Sequence, residues 1–129
     1  MLSELARLIR VAKGELPADL ILANARVVNV FTGEIEPGNV AICGDRVAGI
    51  GDYHQAKQVL DLRGRYLAPG LINGHTHLES SMLNIGQYAR AVVPHGTLVV
   101  VTDLHELANV CGLESIRYVM DCARRLPLE

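Results

Sequence analysis

The chain has 129 residues, half of them hydrophobic, and a formal net charge of −2 from 12 basic and 14 acidic side chains. This length suits one ordinary domain with a packed core. The near-balance of charge argues against nucleic acid or an anionic membrane surface as the main partner. With no tryptophan and a single phenylalanine, the chain also lacks an aromatic platform for stacking bases.

The cysteines, Cys43, Cys111 and Cys122, are odd in number and form no Cys-x-x-Cys pair. Their pattern argues against a disulfide framework and against a thiolate zinc site. No apolar run approaches the ~18 residues that a membrane span needs. We therefore expect a cytoplasmic protein in a reducing environment.

The first half of the chain begins with a predicted helix at residues 2–13, whose apolar residues recur at helical spacing. Stretches rich in β-branched and aliphatic residues follow, and Asn24 is expected to form a bulge or a turn within the first of them. The predicted strands are residues 20–30, 39–43, 46–50, 58–62 and 65–68. Several short strands separated by turns predict a small all-β unit.

Two turns can be assigned within this unit. Pro37-Gly38 is expected to end a loop between the first two strands, because both residues disfavour strand interiors. Gly44-Asp45 joins two predicted strands directly, and glycine in the first position of a two-residue connection favours a type II′ hairpin.

The hydrophobic period changes after residue 70. A strand at 70–74, a helix at 84–93, a strand at 97–102 and a helix at 113–125 alternate, which is the pattern of an α/β fold. The second strand is almost wholly apolar and β-branched, which predicts burial on both faces of a parallel sheet. We expect two domains, residues 1–69 with the helix and all-β part and residues 70–129 with the α/β part.

Two histidines, His75 and His77, follow the strand at 70–74. Side chains on an extended backbone alternate faces with period two, so both imidazoles project to one side and can hold one metal ion. Gly70 and Gly74 bracket the strand and allow a sharp turn or a close backbone approach. An apolar strand that ends in a metal clamp is typical of the start of a (β/α) barrel active site.

The residues from Pro69 to His77, read as Pro-Gly-Leu-Ile-Asn-Gly-His-Thr-His, resemble the first barrel strand of the amidohydrolase superfamily of metal-dependent hydrolases and deaminases. The continuation to Met82, Leu-Glu-Ser-Ser-Met, is similar to that of the adenine deaminases. A second block, Asp103 to Val110, resembles the same family's segment after its second barrel strand, where proline usually stands in place of Leu104.

The resemblance implies a β-sandwich portion followed by the first two β/α units of a TIM-like barrel. A complete barrel needs eight units and ~250 residues, so the chain is expected to be an N-terminal fragment, doubtfully active alone. The implied activity is hydrolysis of adenine to hypoxanthine and ammonia at one or two divalent ions, manganese, iron or zinc. His75 and His77 would bind the more buried ion, while a bridging carboxylate, further histidines and a proton-shuttling aspartate would lie on strands beyond this chain.

Three further residues are candidates for the site. Glu79 shares the face of the histidines if the backbone stays extended, where it could touch substrate or orient a ligand; alternatively, it is a carboxylate at the start of the helix 84–93. Asp103 and His105 follow the second predicted strand, and either could bind metal, with His105 alternatively facing substrate. Asp103 could instead cap a helix, with Glu106 at the third helical position.

Two other functions remain open. Within the same class, the chain could belong to another cyclic amidohydrolase, dihydroorotase-like or imidazolone-type. Outside it, the chain could be a non-catalytic remnant or an assembly module, because His75 and His77 alone are too few ligands for such a site. An uncovered apolar strand at 97–102 promotes association, so we also expect a homo-oligomer.

Overall fold

A computed structural model describes residues 3–129. The chain divides into two compact units, the first ending at Pro69 and the second running from Gly70 to Glu129. The α/β class with a small all-β part is confirmed, because strands dominate the first unit and strand and helix alternate in the second.

Helix α1 of the first unit spans Glu4–Ala12, and Leu2, the predicted first residue, lies outside the described residues. Ser3 caps the helix by accepting a hydrogen bond from the backbone N–H of Ala6. Val11, only 1% exposed, anchors the apolar face of the helix in a small core with Ile21 and Ala41. The helical spacing of apolar residues in the sequence is thus matched by one buried face.

The first unit contains one five-stranded mixed sheet. Its strands are β1 (Ala18–Val28), β2 (Ile35–Cys43), β3 (Arg46–Gly51), β4 (Ala56–Asp61) and β5 (Tyr66–Leu67). Their order is β3-β2-β1-β4, and β5 pairs with the far end of β1. The β1–β2 and β2–β3 pairs are antiparallel, whereas β4 and β5 run parallel to β1.

The bulge expected at Asn24 is confirmed. The β1–β2 register shifts between Leu22 and Ala25, and Asn24 has a φ of 55°, a conformation that asparagine tolerates better than most residues. Its amide Nδ2 donates to Asp61 Oδ1 at 2.9 Å. The hairpin connection predicted at Gly44-Asp45 is confirmed, because Cys43 pairs with Arg46 across it and Gly44 has the positive φ, 63°, that such a turn requires in its first position.

The prediction that a loop ends at Pro37-Gly38 is wrong, because both residues lie inside β2, where they pair with Arg26 and Ala25. The N–H of Arg26 donates to Arg65 O, on the side of β1 away from β2. The pair of Arg26 with Pro37 is therefore not hydrogen-bonded, and the β2–β3 ladder extends only to Asn39. A proline at this position costs the described sheet no ladder hydrogen bond.

The second unit contains two parallel strands and three α-helices. In chain order these are β6 (Leu71–Asn73), α2 (Ile85–Val92), β7 (Thr97–Val100), α3 (His105–Cys111) and α4 (Leu113–Ala123), with short 3₁₀ segments at Glu79–Ser81 and Val93–His95. Strands β6 and β7 pair in parallel, and α2 forms the connection between them, as βαβ units require. Helix α3 is absent from the elements that the sequence predicts.

The prediction that strand 97–102 is buried on both faces is wrong. Leu98 is 41% exposed and Val101 is 53% exposed, and the strand ends at Val100. Among the described residues β7 has one strand neighbour, β6, and its other edge meets only Glu129, which exchanges hydrogen bonds with Leu98 and Val100. Burial on both faces requires more neighbouring elements than this unit contains.

The core of the second unit lies between its helices and the ends of its strands. Its buried members are Leu78, Ile85, Tyr88, Ala89, Leu104, Val119 and Leu128. No helix in the described range is long and apolar enough to cross a bilayer. The glycine that precedes β6 allows a close approach, since a Cβ at Gly70 would overlap the side chain of Leu98; Gly74, in contrast, has open space around it.

A charged cluster around Asp19 ties the first unit together. Asp19 Oδ1 lies 2.6 Å from Arg7 Nη2 and 2.7 Å from Lys57 Nζ, and its Oδ2 accepts from the N–H of Gly44 at 2.8 Å. These contacts, above all the hydrogen bond from Arg7, hold the pKa of Asp19 well below its usual range. One carboxylate thus links α1, β1, β4 and the hairpin turn.

We expect the contribution of Asp19 to stability to depend on pH. Because its pKa is lower in the folded chain, the contribution is complete above the unfolded pKa of about 3.9 and is lost as pH falls below it. Asp19→Asn should therefore lower the melting temperature at pH 7, and the difference from wild type should shrink progressively between about pH 4 and pH 2. Asp45→Asn, at a side chain 93% exposed, is the matched control. A pH-independent difference would contradict this role.

Candidate metal centre

The backbone bends at Gly74, directly after β6, but keeps hydrogen bonds with the segment after β7. The N–H of Val101 donates to Asn73 O at 2.9 Å, and the N–H of Thr76 donates to Val101 O at 3.0 Å. Asn73 Oδ1 also accepts from the N–H of His75 at 3.2 Å. These contacts fix the backbone of Thr76, the residue between the two histidines.

His75 and His77 meet through their Nε2 atoms, which lie 3.2 Å apart. Two imidazole nitrogens bound at 2.0–2.1 Å to one tetrahedral zinc ion are themselves separated by about 3.3 Å. The spacing of these atoms therefore fits two ligands of one ion. The period-two pattern in the sequence brings the two rings together as expected.

A buried leucine follows each strand end and fixes the adjacent site residues. Leu78, next to His77, is 2% exposed, and Leu104, between Asp103 and His105, is 5% exposed. Both belong to the core cluster of the second unit. Because these apolar side chains are anchored in a packed core, their polar neighbours are held at its surface.

Asp103 lies between His77 and His105. Its Oδ1 is 3.3 Å from His77 Nδ1, and its Oδ2 is 3.0 Å from His105 Nδ1. The hydrogen bond with Asp103 raises the pKa of His105, and the same bond lowers the pKa of Asp103. With its Nδ1 hydrogen-bonded to a carboxylate, His105 keeps Nε2 for another partner, which is how histidines bound to metals are commonly oriented.

His105 and Glu106 complete a second possible ligand group with His77. One ligand atom from each of the three side chains lies within 4.8 Å of the others, and the rings of His77 and His105 have centroids 4.9 Å apart. The sequence predicted a site role for His105 but only a capping role for Glu106. The position of Glu106 next to His105, on the segment after β7, could have indicated that Glu106 is a possible ligand.

Glu79 contacts the start of α3. Its Oε1 accepts hydrogen bonds from the N–H groups of Glu106 at 3.1 Å and Leu107 at 3.3 Å. The alternative of a carboxylate at the start of α2 is wrong, because Asn84 caps that helix by accepting from the N–H of Gln87. Glu79 stabilises a helix N-terminus, but one in the other β/α unit.

The capping alternative for Asp103 is also wrong. Helix α3 begins at His105, and the residue before it, Leu104, makes no side-chain cap and has a φ of 54° and a ψ of 25°. Asp103 therefore stands one position too early to cap the helix and faces the two histidines instead. The left-handed backbone at Leu104, rare for a bulky residue, turns the chain between Asp103 and His105.

The hydrogen bonding of the site is incomplete. Within the described range three buried side-chain atoms have no hydrogen-bond partner, His77 Nδ1, Glu79 Oε2 and Thr102 Oγ1. Buried polar atoms of this kind are uncommon in native structures and call for a further partner. The atoms that fit a divalent ion are others, the paired Nε2 atoms of His75 and His77 with ligand atoms of His105 and Glu106 nearby, since imidazole nitrogens and carboxylate oxygens suit zinc, manganese and iron.

Comparison with curated proteins shows extensive similarity to adenine deaminases. The adenine deaminase of Dehalococcoides mccartyi strain CBDB1 is 62% identical over 128 residues, which is 99% of this chain and 22% of that protein. The adenine deaminase of Kosmotoga olearia is 53% identical over 121 residues, 94% of this chain and 21% of that protein. The chain thus spans about a fifth of the length of these relatives. No family model matches it.

Among solved structures, D-aminoacylase aligns with 67% of this chain and 18% of its own, at a TM-score of 0.58 and 30% identity. That enzyme is described as having a binuclear metal centre, and its structure as defining a subset of amidohydrolases. The sequence and the fold therefore agree: the chain is a homologue of the adenine deaminases, equivalent to about a fifth of their length, and it has part of the amidohydrolase architecture.

Proposed function

We propose that this chain provides part of the metal site of an adenine deaminase, which hydrolyses adenine to hypoxanthine and ammonia. The observation that carries the proposal is the pairing of His75 and His77, with Nε2 atoms 3.2 Å apart, in a chain 62% identical to a curated adenine deaminase. Loss of the amino group requires a nucleophile that neutral water does not provide, and a metal-held water supplies one near neutral pH.

In this proposal His75 and His77 would hold the ion through Nε2. His105 and Glu106, which have ligand atoms close to one of His77, would add donors to the same centre. Neutral imidazoles suit zinc, manganese and iron alike. The binuclear centre of D-aminoacylase supports a site with room for two ions.

Asp103 would orient one imidazole of this site. Its carboxylate is hydrogen-bonded to His105 through Nδ1, which would leave Nε2 of His105 for an ion and strengthen it as a ligand. The remaining ligands and a proton-handling aspartate would correspond to parts of the relatives that this chain does not match, since it spans only 22% of the D. mccartyi protein. The substrate of the complete site is the small purine base adenine.

Another cyclic amidohydrolase is the rival proposal, since the likeness to D-aminoacylase extends over two thirds of this chain. Identity to D-aminoacylase is 30%, however, against 62% for the adenine deaminase of D. mccartyi. The 62% identity to an adenine deaminase supports adenine as the substrate, whereas a fold shared with D-aminoacylase does not by itself indicate a substrate.

We expect the chain to bind cobalt through the paired histidines. His75→Ala and His77→Ala should each abolish the visible cobalt absorption or weaken binding by more than about 100-fold, because changes even behind metal ligands cost about 10- to 100-fold. Binding by the wild type should weaken below about pH 6.5, where free imidazoles protonate. His95→Ala, which removes an imidazole from the 3₁₀ segment after α2, should leave binding unchanged. Equal affinity for cobalt in all variants would contradict joint binding by His75 and His77.

The activity can be tested in a chimera. Exchanging the matching 128 residues of the D. mccartyi adenine deaminase for this chain should preserve ammonia release from adenine, whereas the chimera with His77→Ala should lose it. His54→Ala, at a side chain 71% exposed in the first unit, is the control. A chimera that folds and binds metal, yet prefers dihydroorotate or a hydantoin over adenine, would favour the rival class.

The chain alone should release no ammonia from adenine and should self-associate. Several large apolar side chains of the second unit are exposed, including Met82 at 94%, Val110 at 84% and Leu113 at 69%. Exposed apolar surface promotes association, so light scattering should give a mass above that of one chain. A soluble and active monomer would show that the site is complete without further residues.

A further inference from the structure

We propose that Glu79 is a positioning residue of the metal centre: its carboxylate holds the first turn of α3, and thereby keeps His105 and Glu106 beside His77. The inference rests on the proposed metal site. It assigns Glu79 no contact with substrate or metal, because the group of potential ligand atoms comprises His77, His105 and Glu106 without it.

Two hydrogen bonds carry the inference. Glu79 Oε1 accepts from the N–H groups of Glu106 and Leu107, which belong to the first turn of α3 and have no partner within their own helix. A carboxylate at this position also interacts favourably with the positive end of the helix dipole. Glu79 thus caps α3 from a distant segment, whereas a capping residue normally lies immediately before the helix in the sequence.

Helix α3 needs this external contact. Leu104, immediately before the helix, supplies no side-chain cap, and α3 has only 7 residues. Helices shorter than about 12 residues are marginal in water and depend on tertiary contacts for their position. The contacts with Glu79 therefore decide where the first turn lies, and His105 and Glu106 are the first two residues of that turn.

A second contact comes from the neighbouring residue. Ser80 Oγ lies 3.4 Å from Glu106 Oε1 and 3.5 Å from its Oε2, so that its hydroxyl can donate to either oxygen. Glu79 thus binds the backbone of Glu106 while Ser80 binds its side chain. The segment that follows His77 in the sequence consequently fixes both the place and the direction of the carboxylate from the other β/α unit.

The test compares Glu79→Ala, which removes the acceptor, with Glu79→Gln, which keeps an oxygen acceptor but no charge. Glu114→Ala is the matched control, because Glu114 is an exposed carboxylate in the first turn of α4, paired with Arg117. Hydrogen exchange of the metal-free chain reports the order of α3, and cobalt titration reports the ligand group. The single variant Glu106→Ala and the double variant Glu79→Ala, Glu106→Ala complete a double-mutant cycle that measures the coupling between the two residues.

We expect Glu79→Ala to speed exchange in α3 and to weaken cobalt binding by about 10- to 100-fold, the usual effect of losing a residue that orients a ligand. Glu79→Gln should recover part of both losses. Adding Glu106→Ala to Glu79→Ala should cost little more, because the displaced carboxylate no longer contributes.

Three results would overturn the inference: unchanged exchange in α3, faster exchange with unchanged cobalt affinity, or additive losses in the double variant. Absence of cobalt binding by the wild-type chain would also overturn it. The deaminase proposal fails separately, if the chimera binds metal but does not act on adenine. In that case the exchange and cobalt results would still establish the role of Glu79.

Discussion

The parallel pairing of β6 with β7 is the constraint on which the candidate site depends. It places the ends of both strands at one edge, and the hydrogen bond from Thr76 to Val101 extends that pairing into the histidine segment. Side chains that are about 30 residues apart in the sequence therefore meet. Without this pairing, His77 and His105 would belong to two unconnected loops.

Burial supplies the second requirement, because paired strands alone do not fix the segments that follow them. Leu78 and Leu104 lie in one core, and each is bonded directly to a polar residue of the site. Burying a leucine side chain contributes roughly 1.5–3 kcal/mol, which helps offset the ordering of exposed imidazoles and carboxylates nearby. The left-handed backbone at Leu104 is thus held by the packing of its own side chain.

The sequence predicted what local patterns determine. Alternation of side chains predicted that His75 and His77 would share a face, and turn chemistry predicted the bulge at Asn24 and the hairpin at Gly44. Local sequence patterns did not predict the contacts between distant segments. The cap that Glu79 gives α3 depends on the second β/α unit, and the place of Pro37 inside β2 depends on where β3 stops pairing. In both cases a tertiary contact overrode a local preference.

The central claim is that one divalent ion is bound jointly by His75 and His77. The most direct measurement is an anomalous difference map, recorded at the absorption edge of zinc, from crystals of the chimera grown with that metal. We predict a peak within bonding distance, about 2.0–2.1 Å, of the Nε2 atoms of both histidines. A peak elsewhere, with these two imidazoles free of metal, would contradict it.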